Sequence, residues 1–156
     1  MCCRLDNLIQ FFVVAFPHKW RIEDRVKIIL IDDSKFLRLA SQRALSKAGH
    51  EVMIAADGEE GLRIVREALP DVVILDLMLP KIPGVEVLRA IKQDAQTQHI
   101  PVIVMSGLSE RNRAKLIEEG AAGFIEKSEA LLEGKSQSLI EALAKVATSR
   151  NVRSGT

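Results

Sequence analysis

The sequence is poor in cysteine, and its two cysteines stand side by side near the start of the chain. Cys2 and Cys3 are adjacent. Neighbouring cysteines cannot build a disulfide framework, and they lack the separation that zinc ligands need. These residues therefore exclude a disulfide-stapled or zinc-stapled small domain, and a reducing cytoplasm is the expected setting.

The chain also has little net charge and lacks an apolar stretch of membrane-spanning length. Twenty-two basic and 21 acidic residues leave a formal charge of +1, so no overall field draws the protein to nucleic acid or to an anionic membrane. The apolar stretch at residues 8–16 has nine residues, whereas a spanning helix needs about 17 to 25. We expect no direct nucleic-acid partner and no transmembrane segment.

Residues 1–25 differ in composition from the rest, since they hold both cysteines and the only Trp. Residues 16–20 offer no small-residue cleavage site, which argues against a signal peptide. Two interpretations remain open: a peripheral anchor or partner-binding helix, and upstream sequence that precedes a true start near Val26. The second is favoured, because the regular pattern described next begins at Val26.

From residue 26 onward, the hydrophobic pattern alternates between strand-like and helix-like segments. Short apolar runs predict five strands, at residues 26–31, 51–55, 72–75, 102–105 and 124–126. Apolar residues at helical spacing lie between these runs. This alternation predicts an α/β fold with a doubly wound, five-stranded parallel sheet, most simply in the strand order 2-1-3-4-5. Residues 26–149 would form this domain, and residues 150–156 a flexible tail.

Local signals mark several helix ends. Ser34 can cap the first helix, and Pro70 stops the second. The apolar stripes expected to face the core include Phe36 in the first helix and Leu69 in the second. A last amphipathic helix is predicted at residues 136–147.

Polar residues stand at the ends of four of the five predicted strands. They are Asp32 and Asp33 after the first strand, Asp76 after the third, Ser106 after the fourth and Lys127 after the fifth. The carboxyl ends of parallel strands lie along one edge of a sheet, which is where open α/β sheets bind ligands. We therefore expect three carboxylates, a hydroxyl and an ammonium group to converge on one pocket.

Three carboxylates in one pocket need a cation. At about 5 Å and an effective dielectric of 20, each pair repels by roughly 3 kcal/mol. Hard oxygen ligands with little protein caging favour Mg²⁺. An aspartate beside Mg²⁺ and a lysine can accept a phosphoryl group, because the cations balance the charge of the transferring group.

Four motifs at these strand ends resemble the receiver domain of two-component response regulators, the family of the single-domain chemotaxis regulator. They are ILIDDS at 29–34, VILDLMLP at 73–80 followed by Gly84, VMSG at 104–107 and GAAGFIEK at 120–127. Each motif alone is weak, but all four in order at strand ends are specific. The resemblance covers residues 26 to about 147 and implies a flavodoxin-like receiver fold.

The resemblance implies a metal and acceptor site. Asp76 is the implied phosphoacceptor. Asp33 and Asp76 would ligate Mg²⁺ together with the backbone carbonyl of Met78, and Asp32 would assist through water. The Met78 side chain is expected to pack locally, with a further hypothesis that it and Leu108 shield the acyl phosphate from water.

The resemblance also implies a switch. Ser106 would hydrogen-bond the acyl phosphate, Lys127 would pair with it, and Phe124 would swing inward as Ser106 moves. Simpler interpretations stay open for each: a turn serine, a surface lysine and a core aromatic. Ser128 stands where the family usually has Pro, which predicts a less rigidly placed Lys127.

The function expected from this resemblance is that of a stand-alone response regulator. It would accept a phosphoryl group on Asp76 from a sensor histidine kinase or a phosphotransfer protein. The chain after Lys127 is too short for a DNA-binding output domain, so the expected output is a protein contact. That contact would use the fourth helix, the fifth strand and the last helix.

Two rival functions remain to be weighed. A phosphorylation-independent binding module with the same fold would account for Ser128 and for the longer entry to the last helix. A Mg²⁺-dependent phosphatase with an aspartyl nucleophile would expect a second Asp two residues after Asp76, where Met78 stands. The favoured interpretation is a cytoplasmic switch that promotes only its own phosphotransfer and dephosphorylation, and that has no other enzymatic activity.

Overall fold

The computed structural model describes residues 25–107, 113–127 and 143. Its strands are β1 (Lys27–Ile31), β2 (Glu51–Ala55), β3 (Val72–Asp76), β4 (Val102–Ser106) and β5 (Gly123–Glu126). The helices within the described residues are α1 (Lys35–Lys47), α2 (Gly58–Ala68), α3 (Gly84–Gln93) and α4 (Arg113–Glu118). The strands form one parallel sheet in the order β2-β1-β3-β4-β5. The predicted fold class and strand order are confirmed.

The sheet is covered on both sides, and its central strands alternate between two apolar layers. Ile29 and Leu75 belong to one buried cluster, and Ile28 and Ile74 belong to the other. Successive residues of a strand point to opposite faces, so a strand that is apolar at every position needs cover on both. Leu143, which lies within the predicted last helix, is partly buried and packs against the second cluster.

The helix boundaries follow from local hydrogen bonding. The Oγ of Ser34 accepts a hydrogen bond from the amide of Leu37 at 3.4 Å, as a helix cap does. Leu69 ends α2 in the left-handed conformation, with φ of 44°. Two predictions on the helix stripes are wrong: Leu69 is 49% exposed and Phe36 is 64% exposed. Leu69 lies in the terminating turn of α2, and Phe36 lies in the first turn of α1 on its solvent side.

The loop after β3 folds back on the end of its own strand. The amide of Gly84 donates to the carbonyl of Leu77 at 3.1 Å. A Cβ at position 84 would lie 2.2 Å from the carbonyl oxygen of Asp76. Only glycine permits this approach, and the turn it allows holds the start of α3 beside the end of β3.

Several predictions fall outside the described residues. They concern residues 1–24, Leu108, Ser128, the tail at 150–156 and, apart from Leu143, the last helix at 136–147. The domain boundaries stay predictions. Among the described helices, none combines the length and the apolar character that crossing a bilayer requires.

Candidate functional site

Three carboxylates meet at the carboxyl edge of the sheet. Oxygen atoms of Asp32, Asp33 and Asp76 all lie within 4.8 Å of one another. The neighbouring strands β1 and β3 pair Ile31 with Leu75, so the residues that end these two strands reach the same edge. Asp32 is fully buried and Asp76 is 2% exposed, whereas Asp33 is exposed. The pocket therefore has a buried floor of two acids and an accessible third acid.

Lys127, directly after β5, places an ammonium group between the two buried acids. Its Nζ donates a hydrogen bond to Oδ2 of Asp76 at 2.6 Å and lies 3.0 Å from Oδ2 of Asp32. Burial works against the charged form, but the contacts with Asp76 and Asp32 outweigh it and hold the pKa of Lys127 above its ordinary value. The lysine therefore stays protonated.

The carboxyl group of Asp32 lies in surroundings that disfavour its charged form. Burial raises its pKa above the ordinary value, and Lys127 and the amide of Ser34 offset only part of that effect. The Ser34 amide donates to Oδ1 at 2.8 Å. Oδ2 is at ion-pair distance from Lys127, yet no donor among the described residues is aligned to hydrogen-bond it. A buried carboxylate oxygen in this state can accept a further cation or its water.

The site residues fit a divalent cation by their chemistry. Three carboxylates face one ammonium group, which leaves an excess of negative charge in a largely buried pocket. The donors are hard oxygen atoms, and one of the three carboxylates is open to solvent. Mg²⁺ prefers this combination of a few carboxylate ligands with retained waters.

The loop after β3 is tied to the Asp76 carboxylate. The amide of Met78 donates to Oδ1 of Asp76 at 3.1 Å, so the two oxygens of this carboxylate have different partners. The Met78 side chain is 66% exposed. Its expected local packing is therefore wrong, because the loop directs this side chain outward.

The two predicted switch residues lie on the adjacent strands β4 and β5. Ser106 is the last residue of β4, and its side chain lies outside what the structure describes. Phe124, opposite Val104 in the β4 and β5 register, is partly buried and packs against the first apolar cluster. The structure thus places Phe124 beside the core, in agreement with its simpler interpretation, and leaves its movement a prediction.

Two further residues, one at the pocket and one in the loop after β3, form contacts that the sequence analysis missed. The guanidinium of Arg38 donates to the backbone carbonyl of Asp32 at 2.6 Å. Lys81, in the loop after β3, forms an ion pair with Asp57 at 2.7 Å. The sequence holds no spacing signal for either contact, because Arg38 reaches a backbone carbonyl six residues earlier and Lys81 reaches an acid in a different loop.

The family profile for the response regulator receiver domain matches residues 28–137. A probable transcriptional regulator ycf27 of Guillardia theta is 32% identical over 134 residues, covering 84% of this chain and 52% of the relative. A protein-glutamate methylesterase/protein-glutamine glutaminase of Myxococcus xanthus is 39% identical over 134 residues, covering 83% of this chain and 38% of the relative.

Two solved response regulator structures match this chain over 87% or more of their own length. A response regulator receiver domain protein from Clostridium thermocellum superposes with a TM-score of 0.70 at 32% identity, covering 81% of this chain and 98% of that one. The Mn²⁺-bound form of the response regulator Rcp1 superposes with a TM-score of 0.61 at 30% identity, covering 69% of this chain and 87% of that one. The curated relatives are longer, and this chain spans about half the length of the first of them.

Proposed function

The chain belongs to the response regulator receiver family of two-component systems, and we propose that it is a phosphorylation-dependent switch with Asp76 as its phosphoacceptor. One observation carries this proposal: the carboxylate of Asp76, buried among two further acids, is hydrogen-bonded by the ammonium group of Lys127 at 2.6 Å. Receiver domains take phosphoryl groups from histidine kinases or phosphotransfer proteins, and we propose that one of these classes is the donor here.

In the transfer, an oxygen of the Asp76 carboxylate attacks the phosphorus of the donor's phosphohistidine. A new P–O bond forms as the P–N bond breaks, and the imidazole leaves with the bonding electrons. The acyl phosphate carries more negative charge than the carboxylate it replaces. Lys127 already lies beside Asp76 and would balance that charge.

On this proposal the acidic pocket also binds Mg²⁺. Asp33, Asp76 and the backbone carbonyl of Met78 would hold the ion, with Asp32 acting through water. The ion, when bound, offsets the charge of the transferring group. The Mn²⁺-bound form of the similar regulator Rcp1 supports a divalent cation in this pocket.

The signal would leave the site through β4 and β5. Phosphorylation at Asp76 would draw Ser106 and Lys127 toward the new oxygens and move Phe124 inward, which shifts an existing equilibrium. The output surface would be α4, β5 and the predicted last helix. Ile117 on α4 is 55% exposed, which supports a protein contact there. The domain would promote only its own phosphotransfer and dephosphorylation, and it would act in the cytoplasm. Its stand-alone character stays a prediction.

The acceptor is tested by treating the protein with acetyl phosphate and Mg²⁺ and measuring intact mass. We expect one added phosphate in the wild type, none after chelation of Mg²⁺ and none in Asp76→Asn. A matched control is Asp71→Asn, since Asp71 precedes β3 at the opposite edge of the sheet and binds the backbone amide of Lys27. An adduct that survives in Asp76→Asn, or disappears in Asp71→Asn alone, contradicts the assignment.

A further inference from the structure

The loop between β3 and α3 contains a turn that Lys81 adopts against its own backbone preference. Lys81 has φ of 66°, a conformation uncommon for residues with long side chains. The amide of Ile82 donates to the carbonyl of Pro80 at 2.8 Å. A hydrogen bond that spans three residues around a positive φ defines the rare and strained form of the γ-turn. Such a turn persists only when its surroundings hold it.

An ion pair with α2 holds this turn. Lys81 Nζ lies 2.7 Å from Oδ2 of Asp57 and 3.8 Å from Oε2 of Glu59. Asp57 caps α2, because its other oxygen accepts from the amide of Glu60 at 2.9 Å. The Glu60 amide and Lys81 both lower the pKa of Asp57. Each oxygen of this carboxylate therefore has its own partner, and Lys81 can bind without displacing the cap.

The backbone of the same loop rests on the first residue of α2. A Cβ at Gly58 would lie 2.8 Å from the carbonyl oxygen of Ile82, so a larger residue there would push the loop away. The side chain of Ile82 packs against the first apolar cluster. The end of the loop is therefore fixed by one ion pair, one close backbone contact and one apolar contact.

The start of the loop is part of the acidic pocket. Met78 donates its amide to Asp76, and Gly84 closes the loop by donating to Leu77. Along the chain, the carbonyl of Met78 lies between the hydrogen bond of the Met78 amide and the γ-turn. The γ-turn begins two residues after Met78, so a loss of the contact between Lys81 and Asp57 would act on this carbonyl through a short stretch of backbone.

We propose that the ion pair between Asp57 and Lys81 sets the position of the Met78 carbonyl, and that Lys81 is a positioning residue for metal binding. This inference rests on the proposed function, since that carbonyl is a proposed ligand of Mg²⁺. The Lys81 side chain is 58% exposed, and solvent screening keeps the contribution of such an ion pair small. We therefore expect Mg²⁺ affinity to change by only about threefold to fivefold.

Four variants and one control separate this role from a general effect on stability. Lys81→Met and Asp57→Asn each remove one charge, and Asn keeps the helix cap. The double variant tests whether the two act as one unit, and Lys81→Arg keeps the charge. The control is Arg63→Met, because Arg63 forms a comparable ion pair with Glu67 at 2.8 Å on the exposed side of α2.

The measurements are the Mg²⁺ dissociation constant by calorimetry and solvent exchange of the Ile82 amide by NMR. We expect both single variants to weaken Mg²⁺ binding about threefold to fivefold and to speed Ile82 exchange, the double variant to do no more, and Lys81→Arg and Arg63→Met to match the wild type. The loss should shrink at about 1 M salt, where the screening length is about 3 Å.

Mg²⁺ affinity unchanged in both single variants overturns the inference, as does a double variant whose loss equals the sum of the two. A wild type that binds no Mg²⁺ overturns it too. A wild type that binds Mg²⁺ but forms no acetyl-phosphate adduct overturns the proposed function alone, and the affinities of the variants still decide the role of Lys81.

Discussion

The two ends of the central strand β3 use aspartate in opposite ways. Before its amino end, Asp71 is partly exposed, accepts a hydrogen bond from the amide of Lys27 at 2.8 Å and donates its own amide back to the carbonyl of Lys27. After its last apolar residue, Asp76 is buried with Asp32 and shares the ammonium group of Lys127 with it. The first carboxylate completes a network that the fold already provides. At the carboxyl end of the strand, three carboxylates face the single ammonium group of Lys127 among the described residues. Such an excess of charge in a buried pocket is typical of ligand-binding sites.

The largest expected effect comes from removing the cation of the acidic pocket. Lys127→Met leaves three carboxylates without their ammonium partner. Breaking a buried ion pair costs about 3 to 5 kcal/mol, and we expect about 2 kcal/mol here because Lys127 is 19% exposed. Urea unfolding in the presence of a chelator measures this loss.

Saturating Mg²⁺ should then stabilise Lys127→Met more than it stabilises the wild type. The added ion replaces part of the missing positive charge. Equal stabilisation of both proteins would show that Lys127 and the metal pocket are independent.

The next effect separates metal binding from stability at the pocket. Asp33→Asn removes the exposed acid, and we expect Mg²⁺ affinity to fall at least about tenfold while the free energy of unfolding without metal stays the same or rises. The physical reason is that the variant removes a ligand and also removes repulsion from Asp32 and Asp76. A loss of unfolding free energy without loss of Mg²⁺ affinity would reverse this assignment.

At the amino end of β3, we expect a substitution to change stability and to leave Mg²⁺ affinity unchanged. Asp71→Asn weakens a charge-assisted hydrogen bond to the amide of Lys27, which we expect to lower the free energy of unfolding by about 1 kcal/mol. Mg²⁺ affinity should not change, since this residue lies at the other edge of the sheet. Urea unfolding and Mg²⁺ calorimetry on the same sample check both statements.

The smallest effect concerns pH at the amino edge, where His50 precedes β2. Burial lowers the pKa of His50 below its ordinary value of 6.5, and its Nδ1 is buried without a hydrogen-bond partner among the described residues. The unfolded chain therefore binds a proton more readily. The contribution of His50 to stability is complete above about pH 6.5 and is lost as the pH falls below that value. The wild type should lose stability toward pH 5.5 faster than His50→Gln, and parallel profiles would contradict this.

Much of the fold was predictable because its signals are local. The apolar run at residues 72–75 predicted a strand, and the structure confirms it as β3, which is buried at every position. Ser34 was predicted to cap α1 from its identity and place, which it does. Exposure at helix ends was less predictable: Phe36 and Leu69 fit an apolar stripe by spacing, but a terminal turn need not pack on the sheet.

The acidic pocket was predictable in its members but not in its contacts. Strand ends alone indicated that Asp32, Asp33, Asp76 and Lys127 meet, because parallel strands share one edge. Their pairing depends on distances that no spacing contains: Lys127 reaches both buried acids, while Asp33 stays exposed. The outward direction of the Met78 side chain depends likewise on the path of a loop.

The sequence by itself determined the order of the elements, the parallel sheet and the types of residue at its carboxyl edge, since periodicity and chain direction decide these. The tertiary structure alone decided which charges become partners. Asp57 and Lys81 lie in different loops, and their ion pair occurs together with the positive φ of Lys81 and the close approach of the two backbones at Gly58. Contacts of this kind arise from packing between distant segments, because each segment alone has no preference for them.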